Sequence, residues 1–329
     1  MKGMQVSKYQ QGLSLVELMV AMVIGLFLTL GVFTMFSMSS GNVTTTSQFN
    51  QLQENGRIAL ALMEPDLSQL GFFGDITGTE LIPGGNTQLD AAAPANDCVG
   101  AGVNNATLPN TTAAHFRRLW GFQQGDGNSL ACLTDVLAGT DVIQIKRLLG
   151  PDAGDPPALN TNRYYIGTTA NQAVIFTGDQ GAPALENGRF WEYQHHVYYL
   201  RNDDNGVPSL RRRVLTVGAG MGSANDEQLV EGVENMQILY GFDNDGDDTA
   251  DTYMPSQNVT TLMWDNELFQ RLVALRVFLL IRSIEPDPGY TNESVYQLGD
   301  QTLDPFNDNF RRKVVASTIV LENPVLIRN

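Results

Sequence analysis

Four of the five carboxylates within nine residues of the run FDNDGDDTADTY, Asp243, Asp245, Asp247 and Asp251, are spaced like oxygen ligands. Acids this close repel one another unless a cation neutralises them, and oxygen donors at alternate positions are what a hard divalent ion takes. Gly246 lets the backbone turn tightly around such an ion, and the Thr249 carbonyl can add a ligand. The expected cofactor is therefore Ca2+. The spacing departs from an EF-hand loop, whose glycine stands elsewhere and whose twelfth position is a glutamate. An acidic turn between two strands also needs no ion, so both readings stand.

The remaining reactive side chains are few. Cys98 and Cys132 lie 34 positions apart with no CxxC spacing, which suggests neither a zinc site nor a redox motif. In an oxidising compartment they are expected to pair, closing a loop worth about 4 kcal/mol in the chain-entropy model. His195 and His196 are adjacent in a strand-like run, so they point to opposite faces and cannot chelate one ion together. With no GxSxG, HExxH or Walker pattern, no catalytic constellation emerges and an enzyme is not expected. The formal charge of −16 repels phosphate backbones, and the run Arg211, Arg212, Arg213 reads as a solvated or salt-bridged surface of a strand edge. No direct nucleic-acid contact is expected.

One acid stands where acids are costly. Leu13 to Phe36 is a 24-residue apolar run with Glu17 as its only charge, about 36 Å if helical and so long enough to cross a bilayer. Lys2 and Lys8 precede it and the next basic residue is Arg57, which places the amino terminus in the cytoplasm and the bulk of the chain outside. A secretory signal peptide would carry a shorter core and a small-residue cleavage site. A carboxylate in hydrocarbon costs on the order of 2.5 to 3.5 kcal/mol on insertion scales, so Glu17 either lies hydrated at the interface or faces a partner. If the chain is cut after Gly12, Leu13 gains a positive amine one helical turn from Glu17, and a neighbouring copy can offer that amine as the counter-charge.

The stretch QQGLSLVELMVAMVIG resembles the class III leader of type IV prepilins: basic residues, Gly12 before the cut, then an apolar run with an acid five residues in. The resemblance implies that prepilin peptidase cuts after Gly12 and methylates Leu13, and that Glu17 docks the subunit into a growing filament. The usual first residue is Phe, from which Leu13 departs. The blocks at Leu52 to Gly74 (LQENGRIALALMEPDLSQLGFFG), Gln228 to Asp247, Leu272 to Ser283 and Phe310 to Pro324 resemble the PilW group of minor pilins. That resemblance implies partners among other minor pilins and the tip adhesin, the inner-membrane assembly platform and the lipid of the inner membrane. It places the mature chain first in the inner membrane, single-pass with a periplasmic head, and then at the pilus tip.

These residues must be carried by an α+β, pilin-like fold: a long N-terminal membrane-spanning helix packed on an antiparallel β-rich globular head. The divisions expected are a cleaved leader over 1–12, the transmembrane part of the helix over 13–36, its amphipathic periplasmic part over 37–71 and the head over 72–329. Phe49, Leu52, Gly56, Ala59, Leu60 and Met63 recur at three and four positions as one apolar stripe, and Pro65 and Gly71 should kink and end the helix. Beyond it, TELIPGG, DAAAPAND and GVNNATLPNTT read as irregular surface, mobile or variable. Strands are predicted at Asp141 to Leu149, Ala173 to Gly178, Glu192 to Arg201, Leu210 to Val217, Asn235 to Phe242, Leu272 to Arg282 and Lys313 to Glu322.

Three functions fit. The first is a type IV pilus minor pilin that helps initiate assembly in the tip complex, supporting twitching motility, adhesion or DNA uptake. The others are a J-like minor pseudopilin of type II secretion and a membrane-anchored calcium-dependent adhesin in which Gly12 and Glu17 are accidental.

Overall fold

Helix α1 runs from Leu15 to Ser68, and its two ends meet different demands. The computed structural model describes residues 12, 14–100, 102–112, 114–265 and 267–323, which divide into two compact units, 1–50 and 51–329. In the first unit the span Leu15–Ser39 has a mean hydropathy of 2.4 and is long and apolar enough to cross a membrane. Its interior hydroxyls are satisfied by the helix itself: Thr29 Oγ donates to the Gly25 carbonyl at 2.9 Å and Thr34 Oγ to the Gly31 carbonyl at 2.8 Å. Backbone-directed bonds of this kind let a hydroxyl sit in hydrocarbon without an orphaned donor.

In the second unit the stripe of α1 is buried at Leu52, Ala59, Met63 and Leu67, whereas Phe49, in the first unit, is 40% exposed. Gly56 is required by close approach, since a Cβ there would meet Val315 at 2.9 Å. Pro65 lies inside the helix, which ends at Ser68, three residues before the expected Gly71. Gly71 takes a φ of +85°, suited to a glycine just past a helix end.

The strands are β1 (Thr87–Leu89), β2 (Leu119–Gln123), β3 (Asp141–Leu149), β4 (Tyr164–Thr168), β5 (Ala173–Thr177), β6 (Arg189–Asn202), β7 (Pro208–Val214), β8 (Asp226–Glu231), β9 (Val233–Asp243), β10 (Thr252–Pro255), β11 (Arg271–Arg282), β12 (Tyr296–Leu298), β13 (Gln301–Leu303) and β14 (Arg312–Val320). A one-turn helix, α2, spans Thr261–Trp264. The larger sheet has the order β1-β5-β4-β6-β3-β2, with β7 pairing the far half of β6 and β8 pairing β7. The second sheet is β10-β9-β11-β14, and β12 and β13 form a separate hairpin. Pairing is antiparallel except between β1 and β5. The chain is α+β, as its strand alternation indicates. The run at Val273 to Ile281 is strand, within β11.

The larger sheet is buried on both faces, which period-2 alternation makes visible. Ile143 and Ile145 of β3 and Tyr198 and Leu200 of β6 join α1 and the smaller sheet in one core. Val142, Leu148, Val197 and Tyr199 point the other way, into a second core with Phe73, Leu81, Cys98 and Trp120. That second core is roofed by the segment expected to be irregular surface. It has little regular structure, yet it buries Leu81, Cys98, Asn104, Asn105, Thr107 and Leu108. Low strand propensity is here offset by anchoring side chains.

Candidate functional site

At the amino end, Gly12 is exposed, with nothing within 4 Å of where a Cβ would stand, and Leu13 lies outside the described residues. Two residues on, Ser14 and Glu17 form a reciprocal cap. The Glu17 carboxylate accepts the Ser14 N–H at 2.9 Å, and the Ser14 hydroxyl accepts the Val16 N–H at 3.3 Å. This is the capping-box arrangement of a serine three residues before a glutamate, and it starts α1 at Leu15. Glu17 thus has a role within its own chain, anchoring the helix start just beyond the Gly12–Leu13 peptide bond. The Ser-x-x-Glu signal was present in the sequence.

The acidic loop joins β9 to β10. Its first member, Asp243, is buried and accepts the N–H groups of Asp245, Gly246 and Asp248 at 3.0, 2.6 and 3.0 Å. The Gly246 N–H first, then the other two amides and the Arg271 guanidinium, hold its carboxyl down to about 2 against the opposing effect of burial. Asp243, Asp245 and Asp247 each present an oxygen within 4.8 Å of the others. In donor type and spacing these three fit a hard cation, and they are the residues that would hold one. Within the loop, the Thr249 hydroxyl donates to Asp247 at 2.6 Å, and Asp251 accepts the Asn244 N–H at 2.7 Å. Sequence reasoning missed Arg271, whose Nη2 lies 2.7 Å from Asp243 and 2.9 Å from Asp248. Its guanidinium already offsets part of the charge for which calcium was invoked.

Cys98 and Cys132 form a disulfide, and the loop they close is bonded to the larger sheet by buried polar groups. Lys146 of β3, fully buried, donates to the Arg117 carbonyl at 2.8 Å and to the backbone and side-chain oxygens of Asn105 at 3.0 and 3.1 Å. Burial presses its amine well below the usual lysine range. His195 is held by the Thr107 hydroxyl and the Gln144 amide, both at 2.8 Å, and burial presses its imidazole well below its usual value too. His196 faces the other way, 2.6 Å from Asp66. The two histidines therefore serve separate layers. Two members of the arginine run are ion-paired within the sheet, Arg211 to Asp226 and Arg212 to Glu227, each at 2.8 Å, and Arg213 donates to the Tyr199 hydroxyl at 3.3 Å.

Asp141 links the two sheets by accepting the Ile238 N–H at 2.7 Å. Burial, aided by the charges of Asp300 and Asp126, pushes its carboxyl up to about 7 despite that bond. A carboxyl with a raised folded pKa is protonated in both states below about pH 4. As pH rises toward 7 only the unfolded chain ionises, so stability falls. Asp141→Asn keeps the acceptor and removes the ionisation. It is expected to match the parent near pH 4 and to exceed it by about 2 kcal/mol or more at pH 8, since a tenfold difference in proton affinity between the two states is worth about 1.4 kcal/mol. Denaturant midpoints of the full chain in detergent at the two pH values check this; equal differences at both would refute it.

Two family models match the chain. Residues 197–323 match the type IV pilus-assembly protein W family, and residues 7–33 match the prokaryotic N-terminal methylation motif. The first covers the far half of β6 through β14, and the second contains Gly12, Leu13 and Glu17. The block at Leu52 to Gly74 lies outside both. No curated protein and no solved structure matches. Both matches are of the kind the sequence resemblance implied, to a PilW-type pilin and to a prepilin leader, and Leu15–Ser39 is long and apolar enough to cross a membrane.

Proposed function

We propose that this chain is a minor pilin that initiates type IV pilus assembly and sits at or near the pilus tip. It inserts once into the inner membrane, with residues 1–12 in the cytoplasm and the second unit in the periplasm. Prepilin peptidase cuts after Gly12 and methylates Leu13, and Glu17 docks the helix among other minor pilins. The observation that carries this reading is the joint match of a methylation motif at 7–33 and an assembly-protein family at 197–323 in one chain. A secretion pseudopilin shares the first signature, and the second favours the pilus.

The capping geometry sharpens what Glu17 does. Glu17→Ala removes both the cap and the docking acid, whereas Glu17→Gln keeps an acceptor for the Ser14 N–H and removes the charge. Both variants are expected to be cut after Gly12. If charge is what docks the helix, both lose about tenfold or more of the subunit from sheared pili; if the cap suffices, Glu17→Gln is normal. Immunoblotting of the sheared fraction reads the difference, and normal incorporation of Glu17→Ala would defeat the docking role.

Calcium at Asp243, Asp245 and Asp247 is the second part of the proposal. Titration calorimetry of the full chain in detergent is expected to show calcium binding that Asp245→Ala abolishes. A flat titration of the parent chain would mean that Arg271 and the backbone amides suffice.

A further inference from the structure

Gln144 and Lys146 stand two positions apart on β3 and so project from the same face, under the disulfide-closed loop. The Asn105 side chain meets both. Its NH2 group donates to Gln144 Oε1 at 2.7 Å and to the Gly100 carbonyl at 3.0 Å, while its Oδ1 lies 3.1 Å from Lys146 Nζ. Acceptors on one side and a donor on the other give the carboxamide a single orientation. Gln144 is fixed in turn. Its amide nitrogen donates to His195 Nε2 at 2.8 Å, so the imidazole proton is on Nδ1, facing the Thr107 hydroxyl, which donates to Asp97 at 2.6 Å.

The amine beside this carboxamide is held as a nucleophile. Its neighbours are three uncharged oxygens and the Phe116 ring, 4.6 Å from Nζ. In such surroundings burial favours the uncharged amine, with the charge of Asp97 opposing and that of Arg117 adding. A neutral amine has two N–H groups and one lone pair. The two shorter contacts, 2.8 Å to the Arg117 carbonyl and 3.0 Å to the Asn105 carbonyl, take the N–H groups, which leaves the lone pair toward the carboxamide. A C=O bond is about 1.23 Å long, so the 3.1 Å contact puts Asn105 Cγ within about 4.3 Å of Nζ. Lys146 is fully buried and Asn105 is 2% exposed, so water, the competing nucleophile, is kept out.

We propose that Lys146 and Asn105 join in an intramolecular isopeptide bond. The Nζ–Cγ bond forms, the Cγ–Nδ2 bond breaks, and one Nζ proton passes to Nδ2, which leaves as ammonia. No oxidant or other reactant enters. The Gln144 and Gly100 oxygens hold Nδ2 and accept from it as it gains that proton. The reaction occurs once per chain, so placement can carry it: well-oriented intramolecular groups reach effective molarities of roughly 10⁵ M and more. The bond fastens the loop to β3, whereas the disulfide closes the loop only on itself. It depends on the fold of the second unit and not on the pilin reading.

The test is peptide mass spectrometry of the full chain isolated from membranes, reduced and digested, both at once and after prolonged storage. The expected product is a branched peptide that joins residues 105 and 146 and is lighter by one ammonia than its two linear parts, with both linear peptides depleted. Lys146→Met and Asn105→Ala should each abolish it. In a chain with Cys98 and Cys132 both replaced by alanine, where the loop is free to withdraw Asn105, the two residues should stay unjoined. The parent chain decides the question whether or not the variants fold. Lys146 with a free amine and Asn105 with an intact carboxamide, in linear peptides at both times, overturns the bond, and a branch from Lys146 to any other residue overturns the assignment of Asn105.

Discussion

Asp66→Ala is expected to cost the fold about 3 to 5 kcal/mol, the range for removing one member of a buried ion cluster. Asp66 lies near the end of α1 and reaches into the larger sheet, where it pairs with Arg147, accepts from His196 at 2.6 Å and takes the Tyr198 hydroxyl at 2.5 Å. Arg212 stands 3.6 Å away. Burial alone would raise the Asp66 carboxyl, but the hydrogen bond and charge of His196, then Arg147, hold it well below the usual carboxylate range. Its contribution is therefore present above the unfolded value near pH 4 and is lost as pH falls below it. Alanine would leave Arg147 and Tyr198 buried without their acceptor and would release the end of α1 from the sheet. Glu64→Ala, two residues earlier and exposed, should change stability by no more than about 0.5 kcal/mol. Chemical denaturation of the full chain in detergent measures both. A change at Asp66 no larger than that at Glu64 would mean that the cluster does not hold helix to sheet.

Removing the disulfide is the second large effect. Replacing Cys98 and Cys132 together by alanine should cost about 2 to 4 kcal/mol, the upper figure being the chain-entropy value for a loop with a separation of 34. The cost should not be uniform across the molecule. The loop carries Asn105 and Thr107, which supply partners to Lys146 and His195, so loosening it uncovers a lysine that is fully buried in the oxidised chain. Lys146 is expected to resist amine acylation in the parent and to react in the variant while Lys313 reacts in both. Equal protection of Lys146 in the two proteins would show that the polar contacts alone keep the loop in place.

Much of this fold was legible from residue order. β3, β9, β11 and β14 are long, rich in β-branched and apolar side chains, and lie within a few residues of the predicted limits. Among the strands that were missed, β2, β4, β8 and β10 are short or broken in pattern: LWGFQ and YYIGT contain glycine, and DEQLVE has three acids and a single buried valine. Their strand state comes from pairing with longer neighbours, a tertiary effect that local propensity does not hold. The roof over the second core was read as surface for the same reason. Nothing local says that Asn105 will meet Lys146, 41 positions away.

The sites divide along the same line. Gly12, Glu17 and the acidic loop are local patterns and stand out in the sequence. Arg271 does not, since only the β9 and β11 register places it opposite Asp243.

The central claim is that this chain is a processed prepilin, and the amino terminus of the protein isolated from membranes tests it most directly. Mass spectrometry should find a methylated Leu13 as the first residue in a host with active prepilin peptidase and an uncut leader in a host without it. An intact Met1 in both hosts would contradict the account and leave an ordinary anchored protein.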